Sequence, residues 1–249
     1  NITGGFLRRR WITLKTLSSA ITLGSGMSAG IEGPVAQIGG SIGSTVGRAL
    51  RPTFDRLRVL IACGSAAGIA ASYGSPIAGV MFAQEIVLAS EFEAKHFYLI
   101  ILAAGASAVA AAQVSGVEHV LSAPDLTFAM GREVLLYLLL GAIAGVLAVA
   151  FIRVFYGIRD AFSRSRMSET AKPLAGAVIV GVSLILFPQV SAMGYDTISH
   201  AFAGTMGTRL LLALVVVKMV MTSVTLGCGG SGGVFTPAMF IGAMLGGGF

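Results

Sequence analysis

The sequence predicts an all-α polytopic membrane protein with broken helices, and three observations carry that reading. Charged residues are 11% of the 249 residues, against about 25% in an ordinary soluble domain, too few to cover a water-facing surface. The hydrophobic share is 55% and the mean hydropathy is +0.86. Glycine occurs 34 times, about twice its usual share. Disorder is excluded, because it needs few apolar residues and many charges. Collagen is excluded by the absence of a Gly-X-Y period and by only 7 prolines.

The formal net charge of +6 comes from 17 basic and 11 acidic residues. The basic residues stand between apolar runs rather than on one polar face, which argues against a nucleic-acid partner. They fall into three clusters, at Arg8-Arg9-Arg10, 48–58 and 153–172. Loops held on the cytoplasmic side account for all three, with an even number of crossings between successive clusters and the stretch 115–132 outside. The two cysteines, Cys63 and Cys228, lie in apolar segments without metal-ligand spacing and read as free thiols. No metal, no cofactor and no catalytic group is expected. The start has no signal-peptide pattern. With no initial Met and an end inside an apolar run, the sequence reads as a piece of a longer protein.

Along the chain, residues 134–151, 173–190 and 97–114 are the clearest spans for a hydrocarbon core of about 30 Å. Residues 69–89 and 210–226 are weaker spans, each holding one charge, Glu85 and Lys218. The pieces 14–23, 35–46, 59–69 and 235–245 are too short to cross alone. Short apolar pieces interrupted by Gly and Pro are typical of transporters with discontinuous helices. Trp11, Tyr98 and Tyr137 suit the membrane interface, and His96 and His119 read as solvated.

One segment recurs. Residues 22–43 read TLGSGMSAGIEGPVAQIGGSIG and residues 225–246 read TLGCGGSGGVFTPAMFIGAMLG. They align without a gap, with Thr22/Thr225, Leu23/Leu226, Gly24/Gly227, Gly26/Gly229, Ser28/Ser231, Gly30/Gly233, Pro34/Pro237, Ile38/Ile241, Gly39/Gly242 and Gly43/Gly246 identical. Matched Gly/Pro interruptions in two halves point to a transporter's central site. In each copy one helix ends in glycines and another opens with Pro in its first turn, where a missing N–H costs nothing. The first-turn N–H groups lack helical acceptors and carry partial positive charge, so two such starts at mid-membrane would bind an anion. Close packing through small residues explains the glycines but neither the repeated proline nor Glu32 between them. An intramembrane carboxylate is functional by default. Ionised, Glu32 can fill the anion position itself; protonated, it can leave. Phe235 holds the equivalent place in the second copy.

These segments resemble the CLC family of chloride channels and chloride/proton exchangers. Gly30-Ile31-Glu32-Gly33-Pro34 matches its G-x-E-G-P element and Gly233-Val234-Phe235-Thr236-Pro237 its G-x-F-x-P element. Gly64-Ser65-Ala66-Ala67-Gly68 and Ser75-Pro76-Ile77-Ala78-Gly79 extend the likeness to most of the chain. The resemblance implies an inverted-repeat CLC-type architecture of tilted helices. Residues 1–249 would be part of its transmembrane domain, with 1–130 the end of the first inverted half and 131–249 the start of the second. It implies chloride as the transported ligand, protons as a further one in exchangers, and a homodimer in a lipid bilayer, the bacterial inner membrane. Glu32 would be the gating glutamate. The N–H groups of Val234 and Phe235 would bind the central anion, and those of Ile31 and Glu32, with Gly33, the outer one. Helices at 75–89 and 97–114 would face the second copy.

Two departures matter. The family's G-S-G-I-P element and its late anion-contacting tyrosine are not found. The position of the internal proton-relay glutamate falls on Ile86, which carries no proton, with Glu85 just before it. Channel and exchanger therefore both stay open. Other classes compete. Ser28 with His200 would make an intramembrane serine hydrolase, and a non-transporting structural or dimerising module would need neither. The glycines of 39–47 follow no strand and lack an acidic partner, so they are a weak match to a dinucleotide loop. Glu85 and Lys218 read as a structural pair or as snorkelling side chains.

Overall fold

The structure is a computed structural model that describes residues 7, 9–50, 53–88, 94–115 and 132–249. His119 and nearly all of the 115–132 stretch lie outside the described residues. Among the described residues ten α-helices follow in order: α1 (Arg10–Gly24), α2 (Glu32–Leu50), α3 (Phe54–Tyr73), α4 (Pro76–Phe82), α5 (Ala94–Ser115), α6 (Arg132–Arg164), α7 (Ala171–Leu186), α8 (Tyr195–Phe202), α9 (Thr208–Gly227) and α10 (Phe235–Gly248). Among the described residues three helical stretches are long and apolar enough to cross a membrane: His96–Val114, Glu133–Arg164 and Thr208–Gly227.

Local chemistry sets the boundaries and corrects several expected spans. The stretch 69–89 is not one helix. Gly74 ends α3 in the left-handed region, at φ 62°, where glycine pays no steric penalty. Ser75 then caps α4, its Oγ accepting from the Ala78 N–H at 3.4 Å, and Pro76 takes the first helical position. A π-helical turn over Ala83–Val87 follows. The expected piece 59–69 is instead the middle of the 20-residue α3. Residues 173–190 are not one helix either: α7 has 16 residues, about 24 Å at 1.5 Å per residue. It gives way to a 3₁₀ turn over Pro188–Val190, where proline has no N–H to continue the ladder. Conversely, α6, 33 residues long, runs on into the third basic cluster and ends there at Arg164. There Arg159 lies 4.6 Å over the Tyr156 ring.

The chain divides into two compact units, Asn1–Ser18 with Glu32–Val120, and Ser19–Ile31 with Leu121–Phe249. In the first, α2 packs on α3 and α3 on α5, the latter through an alanine-rich core that includes Ala62, Ala66, Ala70, Ala83 and Ala104. Glycines make the α2–α3 crossing possible: a Cβ at Gly39 would strike the Gly64 carbonyl, and one at Gly64 the Gly39 carbonyl. This is the close backbone approach that small-residue faces permit in membranes. In the second unit α9 is central, packed by α6, α7 and α10, around Val180, Ile198, Leu214, Phe240 and Met244. The outer faces are apolar: Leu135, Leu138 and Val146 of α6 are largely exposed, as are Trp11, Tyr98 and Tyr137. Such surfaces suit lipid and its interface rather than water.

Candidate functional site

The repeated segment folds twice into the same turn. In the first copy Ser25 N–H donates to Ile21 O, Gly26 N–H to Leu23 O and Met27 N–H to Thr22 O. In the second, the aligned residues repeat each bond: Cys228 to Val224, Gly229 to Leu226 and Gly230 to Thr225. The hydroxyl of Ser25 donates to Thr22 O at 2.9 Å, and the thiol of Cys228 to Thr225 O at 3.2 Å. Gly26 and Gly229 both take positive φ, 84° and 104°, a conformation costly for residues with a Cβ.

The copies also bind each other. Gly30 N–H donates to Gly233 O at 2.9 Å and Gly233 N–H to Gly30 O at 2.8 Å, an antiparallel bridge between equivalent residues. Such a reciprocal pair is locally two-fold symmetric. Ser231 N–H adds a bond to the Thr22 hydroxyl at 3.1 Å. Two residues beyond each bridging glycine a helix begins, α2 at Glu32 and α10 at Phe235. Among the described residues nothing accepts from the backbone N–H of Ile31, Gly33 or Val234. Groups of that kind at a helix start are suited to an anion. Val234 and Phe235 are exposed, and Thr236 beside them is buried, with its hydroxyl 3.4 Å from that of Tyr195.

Glu32 is 3% exposed, at the first position of α2. Its carboxylate accepts a hydrogen bond from the Tyr73 hydroxyl. Tyr73 was not legible as a site residue: it lies 41 positions away, and its only signal was its place before the Gly74-Ser75-Pro76 break. Tyr73→Phe is expected to lower stability by about 2 kcal/mol, the scale of a hydrogen bond to a charged group, readable by thermal unfolding of the purified protein.

The other candidates separate. Ser28 and His200 do not form a dyad. The Ser28 hydroxyl pairs with that of Thr222 at 3.1 Å, and His200 Nδ1 lies 3.3 Å from the Thr205 hydroxyl. Among the described residues no base therefore faces the serine, and nucleophilic chemistry needs one. Glu85 and Ile86 are exposed on the π-helical turn. Lys218 does not snorkel: it is fully buried, and its ammonium donates to the carbonyls of Val190 at 3.1 Å and Ala192 at 2.7 Å. Cys228 is buried and Cys63 half-buried, both free. The glycines of 39–47 lie inside α2, not in a phosphate-binding loop. No group of three or more metal-ligating side chains occurs among the described residues.

Comparison with known proteins agrees with this fold. The sequence profile of the voltage gated chloride channel family matches residues 2–249. A ClcB-like protein of Ralstonia nicotianae is 35% identical over 97% of this chain and 57% of its own length. An H(+)/Cl(-) exchange transporter, ClcA of Cronobacter sakazakii, is 33% identical over 96% of this chain and 53% of its own length. The chain thus spans little more than half the length of these curated relatives. The crystal structure of a CLC-type fluoride/proton antiporter superposes with a TM-score of 0.85 at 26% identity, covering 98% of this chain and 62% of that one. With its repeated broken-helix turns and its match over nearly every residue, the chain belongs to the voltage-gated chloride channel (CLC) family.

Proposed function

We propose that the protein carries small anions, chloride first among them, across a membrane, with Glu32 as the gate. The observation that carries this reading is the pair of matched turns joined through Gly30 and Gly233, each leading into a helix start, with a buried carboxylate at one of them. The backbone N–H groups of Val234 and Phe235 bind the central anion and those of Ile31 and Glu32, with Gly33, the outer one, since oriented N–H dipoles replace an ion's hydration shell. Glu32 competes for those groups when ionised and withdraws when protonated. The relatives named as H(+)/Cl(-) exchangers and as a fluoride/proton antiporter support proton coupling, which we assign to this side chain. Ile86 cannot relay a proton, so coupled protons would pass it by way of Glu85 or water. Two copies join through the apolar faces of α4 and α5, where Ile77, Met81, Leu102 and Val109 are exposed, in a bacterial inner membrane.

The test is the full-length protein reconstituted in chloride-loaded liposomes, with chloride and proton movement recorded together and a parallel fluoride arm. Anion efflux is expected. Efflux of potassium alone, or none, would overturn the reading. Proton movement against the anion gradient marks an exchanger, and its absence marks a channel.

A further inference from the structure

Lys218 is one of the largest fully buried side chains among the described residues. It stands in the middle of α9 between Val217 and Met219. Among the described residues no carboxylate comes within ion-pair reach of its ammonium. An unpaired buried charge is costly, and α9 could hold a leucine there at no such cost. The partners of the ammonium explain its presence. Two are the carbonyls of Val190 and Ala192, in the strap between α7 and α8. The third is the Phe240 ring, 4.7 Å below it.

Two of these partners, Ala192 and Phe240, lead to one copy each of the repeated turn. Ala192 has φ 43°, the one non-glycine residue with positive φ among those described, a conformation that persists only where its surroundings hold it. Its carbonyl points at the lysine while its N–H donates to Gly26 O at 3.2 Å, the left-handed glycine of the first turn. Phe240 belongs to α10, the helix that the second turn opens. Gly194, at the end of the strap, lies so close to that ring that an added Cβ would stand 2.7 Å from it. One ammonium with three donors therefore ties together α9, α10 and the strap that holds the first turn.

We propose that Lys218 is a positioning residue for anion recognition: by clamping the strap against α10 it sets the spacing of the two turns, and with it the backbone N–H groups of Ile31, Val234 and Phe235. The inference rests on the anion-transport reading and specifies what tunes its site. The experiment is anion flux against chloride concentration for the reconstituted full-length protein and its Lys218→Met, Lys218→Arg and Phe240→Leu variants, with chloride/nitrate discrimination as a second readout. Met keeps the length and loses charge and donors. Its half-saturating chloride is expected to rise about tenfold, the scale of a lost charge-assisted hydrogen bond, with discrimination reduced and maximal rate changed less. Arg restores both to within about threefold, because it keeps charge and donors. Phe240→Leu shifts half-saturation in the same direction by less. Should Lys218→Met not fold, Phe240→Leu decides alone. Wild-type half-saturation and discrimination in every folded variant would overturn the proposal while leaving anion transport intact. A wild-type protein that moves no anion would remove both.

Discussion

Glu32→Gln yields an anion flux that no longer responds to pH and proton movement no greater than in protein-free liposomes. Glutamine matches the carboxylate in size, and its amide carbonyl can still accept from the Tyr73 hydroxyl, so α2 and its contact with α3 persist. What disappears is the titratable group. A neutral amide has no charge to hold at a helix start, does not compete with the anion for the same N–H groups, and has no proton to release. Paired chloride and proton recordings at acid and neutral pH read both effects. Proton movement that survives in the variant would refute the role given to Glu32 and send the search to another carrier.

The second large effect is structural. Gly39→Val is expected to destabilise the first unit by about 3 kcal/mol or more, the upper end of the overpacking range. The reason lies in what the new side chain meets. A Cβ at Gly39 collides with the backbone carbonyl of Gly64, and four residues on, one at Gly43 collides with that of Leu60. Side chains can turn aside; two helix backbones in contact can only separate. Gly105→Ala and Gly141→Ala are the controls, since a Cβ at either meets nothing within 4 Å. In a helix they should stabilise by up to about 1 kcal/mol. Thermal unfolding in one detergent or lipid system ranks the three. A Gly39→Val protein that unfolds with the wild type would show that the α2–α3 crossing is looser than drawn.

The parts of this fold that could be read in the sequence are those written in local chemistry. The Gly-to-Pro pattern placed the starts of α2 and α10 within a residue or two, and the gapless repeat anticipated turns that prove equal bond for bond. Apolar length located α5 and α9. The failures share a cause. Hydropathy is blind to a change of backbone conformation inside an apolar run, so the break at Gly74-Ser75-Pro76 was hidden in a span. It is equally blind to a helix that continues after its apolar stretch ends, as α6 does. Partners distant in sequence were out of reach: Tyr73 on Glu32, Thr222 on Ser28, and the two carbonyls that hold Lys218. A lone lysine in an apolar run suggests an acidic partner or an escape to the interface. Two inward-facing carbonyls, one of them on an Ala192 with positive φ, have no signature in composition.

The bond from Ser231 to Thr22 closes over 209 positions, and that between Ser28 and Thr222 over 194. During synthesis the chain emerges from its beginning, at roughly 5–20 residues per second. The first turn is therefore made many seconds before the residues that satisfy it exist. Until then Thr22, Ser28 and the Gly30 backbone must find other hydrogen bonds, from water or from the machinery that inserts the chain. Assembly that waits on such distant partners is slow. A nascent chain halted before Gly233 should keep its first turn open to exchange, and it should close once the second copy has been made.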